Sequence, residues 1–232
     1  MSVSTGGSTS TGPSAEAMIA EARKAFWVMV AFLAVLWILQ IFNALDHYAL
    51  DGSYSIHARD VGSLPTILSA PFLHVSWAHI EGNSGPLFIF GFLAAYRGVK
   101  KWLGVSVLII IVSGLGAWLI SAAGSDTVGA SGVIFGYLGY VLVRGIFDRH
   151  RIDIVIGLVM ALCFAYQFTD LLPQNNGVSW QAHVFGFAAG IIGGWFFREK
   201  RPKKAKAAVD GTTITPSVFD PTTALLDKPK QP

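Results

Sequence analysis

Residues 26–45 read FWVMVAFLAVLWILQIFNAL, a stretch without a single charged side chain. An α-helix rises about 1.5 Å per residue, so a segment of this length matches the ~30 Å hydrocarbon core of a bilayer. The segment therefore predicts a transmembrane helix. Further apolar segments of comparable length follow at residues 79–96, 102–122, 131–147, 152–168 and 181–197. The sequence predicts an all-α membrane protein built as a bundle of six transmembrane helices.

The composition of the 232-residue chain supports a membrane environment. Hydrophobic residues make up 53% of it and charged residues 13%, which is too apolar for an ordinary soluble domain. The formal charge of +3 does not indicate nucleic-acid binding, because the Lys and Arg residues lie between apolar segments rather than on one face. The lipid bilayer is an expected partner and nucleic acid is not. The single Cys163 excludes an internal disulfide and is interpreted as a packing residue.

The predicted membrane domain covers residues 26–199 and is flanked by two tails. Residues 1–25 are rich in Ser, Thr, Gly and Ala, and residues 200–232 are basic and then polar, so both tails are predicted to be disordered. Lys and Arg residues collect in alternate connections, at residues 23–24, 97–101, 144–151 and 198–206. Because such residues favour the cytoplasmic side, both termini are predicted to be cytoplasmic. No targeting peptide is recognised, which favours a bacterial plasma membrane.

Polar groups inside apolar segments cost free energy unless they have partners, and three groups stand out. The first is HVSWAHIEGN at residues 74–83. His79 and Asn83 are four residues apart and project from one face of the second predicted helix, so both can donate hydrogen bonds to one point. Glu81 lies between them and is an unexpected charge. It either faces an aqueous cavity or is protonated and neutral.

The second group is Gly129-Ala-Ser131-Gly132, where the chain leaves an external loop and enters the fourth predicted helix. A serine at this position lies at a helix N-terminus. It is therefore close to unpaired backbone N–H groups and to the positive end of the helix dipole.

The third group is AHVFGFAAG at residues 182–190, near the external end of the sixth predicted helix. Gly186 and Gly190 share a helix face with His183 and allow another helix to approach closely. All three groups lie in the external third of their helices, so they can converge on one site. Each alone also has a structural interpretation: a serine that bonds its own helix, a histidine that satisfies a neighbour, glycines that serve packing.

The order of these motifs resembles the rhomboid family of intramembrane serine proteases over residues 60–197. The pattern is H-x4-H-x3-N, then G-x-S-G at the start of a later helix, then A-H-x2-G-x3-G in the last helix. The resemblance implies a six-helix rhomboid-like bundle in which Ser131 is the nucleophile and His183 its general base, a dyad without a carboxylate. It also implies an oxyanion hole formed by His79, Asn83 and the backbone N–H of Ser131.

Further residues receive supporting roles from the resemblance. Phe135 stands where the family usually has a Tyr that stacks on the catalytic histidine. His74 matches another family histidine, for which a structural or hydration role and a catalytic role are both open. The Trp-Arg pair that many relatives carry in the first external loop is missing from residues 46–74, so the anchoring of this loop is not predicted. Four glycines are expected to support the site: Gly129, Gly132, Gly186 and Gly190.

The resemblance implies an intramembrane serine endopeptidase that hydrolyses peptide bonds in or near transmembrane segments of membrane proteins, without cofactor or metal. Substrates are expected to carry helix-weakening residues near the external face, where the site opens, because helical carbonyls are engaged in their own hydrogen bonds. Access is expected to be lateral, through movement of the fifth helix and of the loop at residues 174–177. The oligomeric state stays open.

Two other functions are alternatives. A catalytically inactive relative would bind membrane clients without cleaving them, although the presence of both Ser131 and His183 argues against it. A small-solute transporter would also carry polar groups at membrane depth, but here they gather near one face and no inverted repeat is evident.

Other hydrolase classes fit less well. An α/β-hydrolase would need glycine in place of Val133, and a membrane metalloprotease would need H-E-x-x-H, which the sequence lacks. His74 and His79 are five residues apart and therefore form a poor metal-binding pair.

Overall fold

The structure of the protein is a computed structural model that describes residues 14–174 and 177–199. Within these residues the α-helices are α1 (Ala15–Leu45), α2 (Ala49–Tyr54), α3 (Trp77–Ala95), α4 (Val99–Ile120), α5 (Ser131–Asp148), α6 (Arg151–Cys163) and α7 (Trp180–Phe196). There are 3₁₀ helices at Val61–Leu68, Ala70–Phe72 and Ala165–Leu171. The tail predicted at residues 200–232 lies outside the described residues.

Each of the six segments predicted to cross the membrane contains a helix, but six crossings are not confirmed. In the part of the chain that the structure describes, α1, α4 and α5 are long and apolar enough to cross a membrane. α6 and the 3₁₀ helix Ala165–Leu171 add a fourth span if they are taken together across a bend of 72°. Polar side chains at the start of α3 lower its hydropathy, and α7 is only 17 residues long. The protein is therefore an integral membrane protein, and the count of six spans stays a prediction.

Helix α1 begins earlier than the sequence analysis placed it. The helix starts at Ala15, where the Ser14 hydroxyl oxygen accepts a hydrogen bond from the backbone N–H of Ala17 at 3.2 Å. The predicted disorder of residues 1–25 is therefore wrong for residues 15–25. An N-terminal cap followed by AEAMIAEARK, which is rich in strong helix formers, extends the helix beyond the apolar segment.

The centre of the bundle is the contact between α5 and α7. Most of α5 is buried, and it packs against α3, α4 and α6 as well as α7. A Cβ atom added at Gly186 would overlap the carbonyl oxygen of Gly132, and one added at Gly190 would overlap that of Gly136. The two backbones therefore touch directly, as small residues permit between membrane helices. This contact brings the first turn of α5 beside the first turn of α7.

A buried ion cluster joins α5 and α6 at the end of the bundle away from Ser131. Arg144 is only 1% exposed, and it donates to the carbonyl oxygen of Leu93 and, at 3.3 Å, to the Asp153 carboxylate. Arg97 also pairs with Asp153. Arg144 was counted among the basic residues of a cytoplasmic connection, although the predicted segment 131–147 contains it, and the structure places it inside α5. A buried carboxylate between two guanidinium groups explains how these charges are tolerated.

The connection between α1 and α3 is anchored to the segments around α5. Strands β1 (Ile56–His57) and β2 (Asp126–Thr127) pair antiparallel, and His57 Nδ1 lies 2.5 Å from the Asp126 carboxylate. This hydrogen bond raises the pKa of His57. The indole N–H of Trp118 donates to the Asp60 carbonyl at 2.8 Å. These contacts provide the anchoring that the sequence left unpredicted.

Substitution of Gly190 by Ala should destabilise the bundle. The new methyl group would meet the backbone of α5, which cannot move aside as a side chain can. We expect Gly190→Ala to lower the free energy of unfolding in detergent micelles by about 1–3 kcal/mol or more. The matched control is Gly193→Ala, whose methyl group would lie 3.4 Å from the Val105 side chain, an ordinary contact. Equal stability of the two variants would contradict the backbone contact.

Candidate active site

A cavity of about 610 Å³ lies beside the first turns of α3, α5 and α7. Its lining includes five residues singled out from the sequence: His79, Asn83, Ser131, Phe135 and His183. Gly82, Pro86, Tyr166, Gln167 and Asp170 also line it, and no sequence motif had indicated them. Three polar groups far apart in the chain thus share one cavity.

Two helix starts bring Ser131 and His183 together. Ser131 is the first residue of α5, and His183 lies in the first turn of α7, which Ser179 caps by accepting from the Ala182 N–H at 3.3 Å. Ser131 Oγ and His183 Nε2 are 2.8 Å apart. His183 is 2% exposed, so little of its side-chain surface is open to the cavity.

The other ring nitrogen of His183 determines the direction of this hydrogen bond. Nδ1 lies 2.9 Å from the main-chain carbonyl oxygen of Asp170. A carbonyl oxygen can only accept, so Nδ1 carries the proton. Nε2 is then unprotonated and accepts from the Ser131 hydroxyl. A general base needs this tautomer.

The ring of Phe135 restricts the imidazole further. Phe135 lies one turn after Ser131 in α5, and its ring stacks on His183 with centroids 4.3 Å apart and planes 22° apart. Phe135 therefore covers one face of the imidazole. It leaves the imidazole little freedom to rotate away from Ser131.

Two polar side chains of α3, His79 and Asn83, line the cavity together with Ser131. The side-chain nitrogen of Asn83 is buried and has no hydrogen-bond partner in the described part of the chain. His79 packs against Gly129, where a Cβ atom would lie 2.7 Å from the imidazole Nε2. Gly129 also has φ +116°, a conformation that favours glycine. An unpaired buried amide that lines the same cavity as a serine hydroxyl suits an oxygen that becomes negatively charged during a reaction.

His74 lies behind the cavity rather than in its lining. It is fully buried, and its Nε2 accepts from the backbone N–H of Ala130 at 3.4 Å. Burial, with a smaller contribution from neighbouring His79, lowers the pKa of His74 to about 3. The neutral ring therefore supports the chain immediately before Ser131, which favours a structural role.

Three other sequence expectations have definite positions. Gly132 packs close to Ser113 and to the Ala182 carbonyl, so it belongs to the contact between helices. Glu81 is exposed and does not line the cavity. Asn175 and Asn176, in the loop expected to move, lie outside the described residues. Within residues 14–174 and 177–199, no group of three or more His, Cys, Asp or Glu side chains could hold a metal ion.

A family model of the Rhomboid domain matches residues 61–200. The chain belongs to the rhomboid family. This rhomboid is 35% identical over 187 residues to an uncharacterized protein of Mycobacterium tuberculosis, and the alignment covers 77% of each chain. It is 25% identical over 189 residues to rhomboid protease GlpG of Haemophilus influenzae, which covers 80% of this chain and 96% of that one. It is also 34% identical over 141 residues to rhomboid-like protein 11, chloroplastic, of Arabidopsis thaliana, which covers 55% of this chain and 50% of that one.

Acid should destabilise this rhomboid through His74. Its folded-state pKa of about 3 lies below the ordinary value of 6.5, so the unfolded chain binds more protons between these pH values. The free energy of unfolding should therefore fall as the pH falls below 6.5, by up to about 1.4 kcal/mol per pH unit.

The variant His74→Gln, which can still accept from Ala130, should show a flatter pH dependence in detergent unfolding. The control His47→Gln removes an exposed histidine and should keep the wild-type slope. A His74→Gln slope equal to that of the wild type would refute the assignment.

Proposed function

We propose that the protein is an intramembrane serine endopeptidase that hydrolyses peptide bonds in or near transmembrane segments of membrane proteins. The observation that carries this proposal is the 2.8 Å contact between Ser131 Oγ and His183 Nε2. The contact lies within a cavity of about 610 Å³ in a chain of the rhomboid family.

The chemistry follows from the tautomer of His183. As Ser131 Oγ attacks a peptide carbonyl carbon, its proton passes to His183 Nε2. The same nitrogen then gives the proton to the leaving amine, and Ser131 retains the acyl group as an ester. Water enters the cavity, loses a proton to Nε2 and attacks the ester. As the acid product leaves, Nε2 returns the proton to Ser131 Oγ, which restores the hydroxyl and the neutral His183.

Negative charge that develops on the carbonyl oxygen needs donors in the cavity. The candidates are Asn83 Nδ2, the His79 imidazole and the backbone N–H of Ser131, at the positive end of the α5 dipole. In soluble proteases, removal of one such donor lowers kcat by a factor of about 10²–10³. The side-chain nitrogen of Asn83 has no other hydrogen-bond partner among the described residues, which leaves it free for this role.

Substrate access is proposed to be lateral, between α3 and the segment that follows α6. Gly82 and Pro86 line the cavity on the α3 side, and Tyr166 and Gln167 line it on the other. A substrate helix must unwind locally before attack, because helical carbonyls are engaged in hydrogen bonds. Segments with Gly, Ala or Pro near the cavity are therefore the expected substrates. We place the cavity towards the external face of a bacterial plasma membrane, with both termini cytoplasmic.

A fluorophosphonate probe tests the nucleophile directly. We expect covalent labelling of the wild type in micelles and none of Ser131→Ala, because the probe reacts only with an activated hydroxyl. The matched control is Ser125→Ala, which removes an exposed hydroxyl from the connection before α5 and should leave labelling unchanged. Equal labelling of Ser131→Ala would rule out the dyad. A folded wild type that does not label would favour the inactive client-binding alternative.

The oxyanion donors are tested by Asn83→Ala. Loss of a donor that acts chiefly in the transition state should lower kcat by about 10²–10³ and leave KM within a few fold. Cleavage of a transmembrane substrate in liposomes measures both constants. Glu81→Gln, an exposed change on the same helix, should leave them at wild-type values. A rise in KM with kcat unchanged would instead indicate a role of Asn83 in substrate binding.

A further inference from the structure

The proposed catalytic base has a main-chain partner where Ser-His-Asp proteases have a carboxylate. His183 Nδ1 is 2.9 Å from the Asp170 carbonyl oxygen, whereas the Asp170 carboxylate accepts from Gln174 Nε2 at 3.5 Å. The acceptor is thus part of the backbone of the 3₁₀ helix Ala165–Leu171. The side chain of residue 170 therefore does not supply the acceptor.

The Asp170 carbonyl is available because of the residue three positions later in the chain, Pro173. In a 3₁₀ helix the carbonyl of residue i accepts from the N–H of residue i+3. The Thr169 carbonyl is occupied in this way by the Leu172 N–H at 3.1 Å, and also by Gln174 Nε2 at 2.6 Å. The corresponding donor for Asp170 would be residue 173, which is a proline and has no N–H.

Pro173 also directs the chain away from this carbonyl. Leu172 has φ −91° and ψ 149°, the extended conformation that a following proline favours. The 3₁₀ helix therefore ends with its next-to-last carbonyl uncovered. The first turn of α7 places the His183 imidazole against it.

We propose that Pro173 is a positioning residue: by withholding an N–H at this one position, it keeps the Asp170 carbonyl available to orient His183. The catalytic consequence rests on the proposed function, but the tautomer of His183 does not. A neutral carbonyl orients the ring and fixes the proton on Nδ1, as the carboxylate does in a triad. It requires no further buried charge in the membrane domain, where an unpaired carboxylate is costly.

Replacement by Pro173→Ala restores an N–H that competes with His183 for the Asp170 carbonyl. We expect the proton of His183 to redistribute between Nδ1 and Nε2. We expect kcat to fall by about ten- to a hundred-fold with KM within twofold, less than the ~10⁴-fold cost of a wrong tautomer in a soluble triad protease. Pro173→Val supplies the same N–H with a different side chain and should have the same effect.

The tautomer is read by nitrogen NMR on micelles of the full chain labelled with ¹⁵N-histidine, with the His183 signals assigned by their loss in His183→Gln. The wild type should show a protonated Nδ1 and an unprotonated Nε2 at neutral pH. The matched control is Leu172→Ala, which truncates the neighbouring side chain, 62% exposed, at a position that already has an N–H. It should retain the wild-type tautomer and kcat.

A wild-type His183 protonated on Nε2 would overturn the inference, even if both Pro173 variants failed to fold. Folded Pro173 variants with wild-type tautomer and kcat would overturn it as well. A wild type with the expected tautomer but no reaction with the fluorophosphonate probe would contradict the proposed function and leave the role of Pro173 intact.

Discussion

The direct contact between the backbones of α5 and α7 is the constraint on which the rest of the structure depends. Carbonyl groups of Gly132 and Gly136 occupy the space that side chains would take at Gly186 and Gly190. Only at this separation can a serine at the start of one helix meet a histidine in the first turn of the other. The glycines of the last motif therefore serve packing and geometry at the same time. The close packing of α5 against α7 therefore determines the distance between Ser131 Oγ and His183 Nε2.

Much of the helical architecture could be predicted because hydrophobic length is a strong signal in a membrane protein. Helix α4, which has no charged residue after Lys101, was placed within a few residues. The early start of α1 was missed because a surface helix outside the apolar segment depends on capping and helix propensity rather than hydrophobicity. The bend of 72° after α6 was missed because composition does not distinguish one straight span from a broken one.

The candidate site divides in the same way. Ser131, His183, His79 and Asn83 were identified because polar side chains among apolar residues are conspicuous, and the structure brings them to one cavity. The Asp170 carbonyl could not be identified by a motif, since every residue has a carbonyl. The sequence indicates it only through Pro173, which has no backbone N–H. That absence can be interpreted only when the 3₁₀ helix before Pro173 is known. Arg144 was misplaced because a charge near a helix end normally faces water.

The ion cluster at the other end of the bundle has a consequence for biogenesis. Arg97 follows α3, Arg144 lies in α5 and Asp153 lies in α6, so both cations leave the ribosome before the anion that neutralises them. Until α6 docks, two guanidinium groups lack the carboxylate that makes their burial tolerable. Helix α5, which carries the buried Arg144, therefore has an electrostatic reason to take its final position only together with α6.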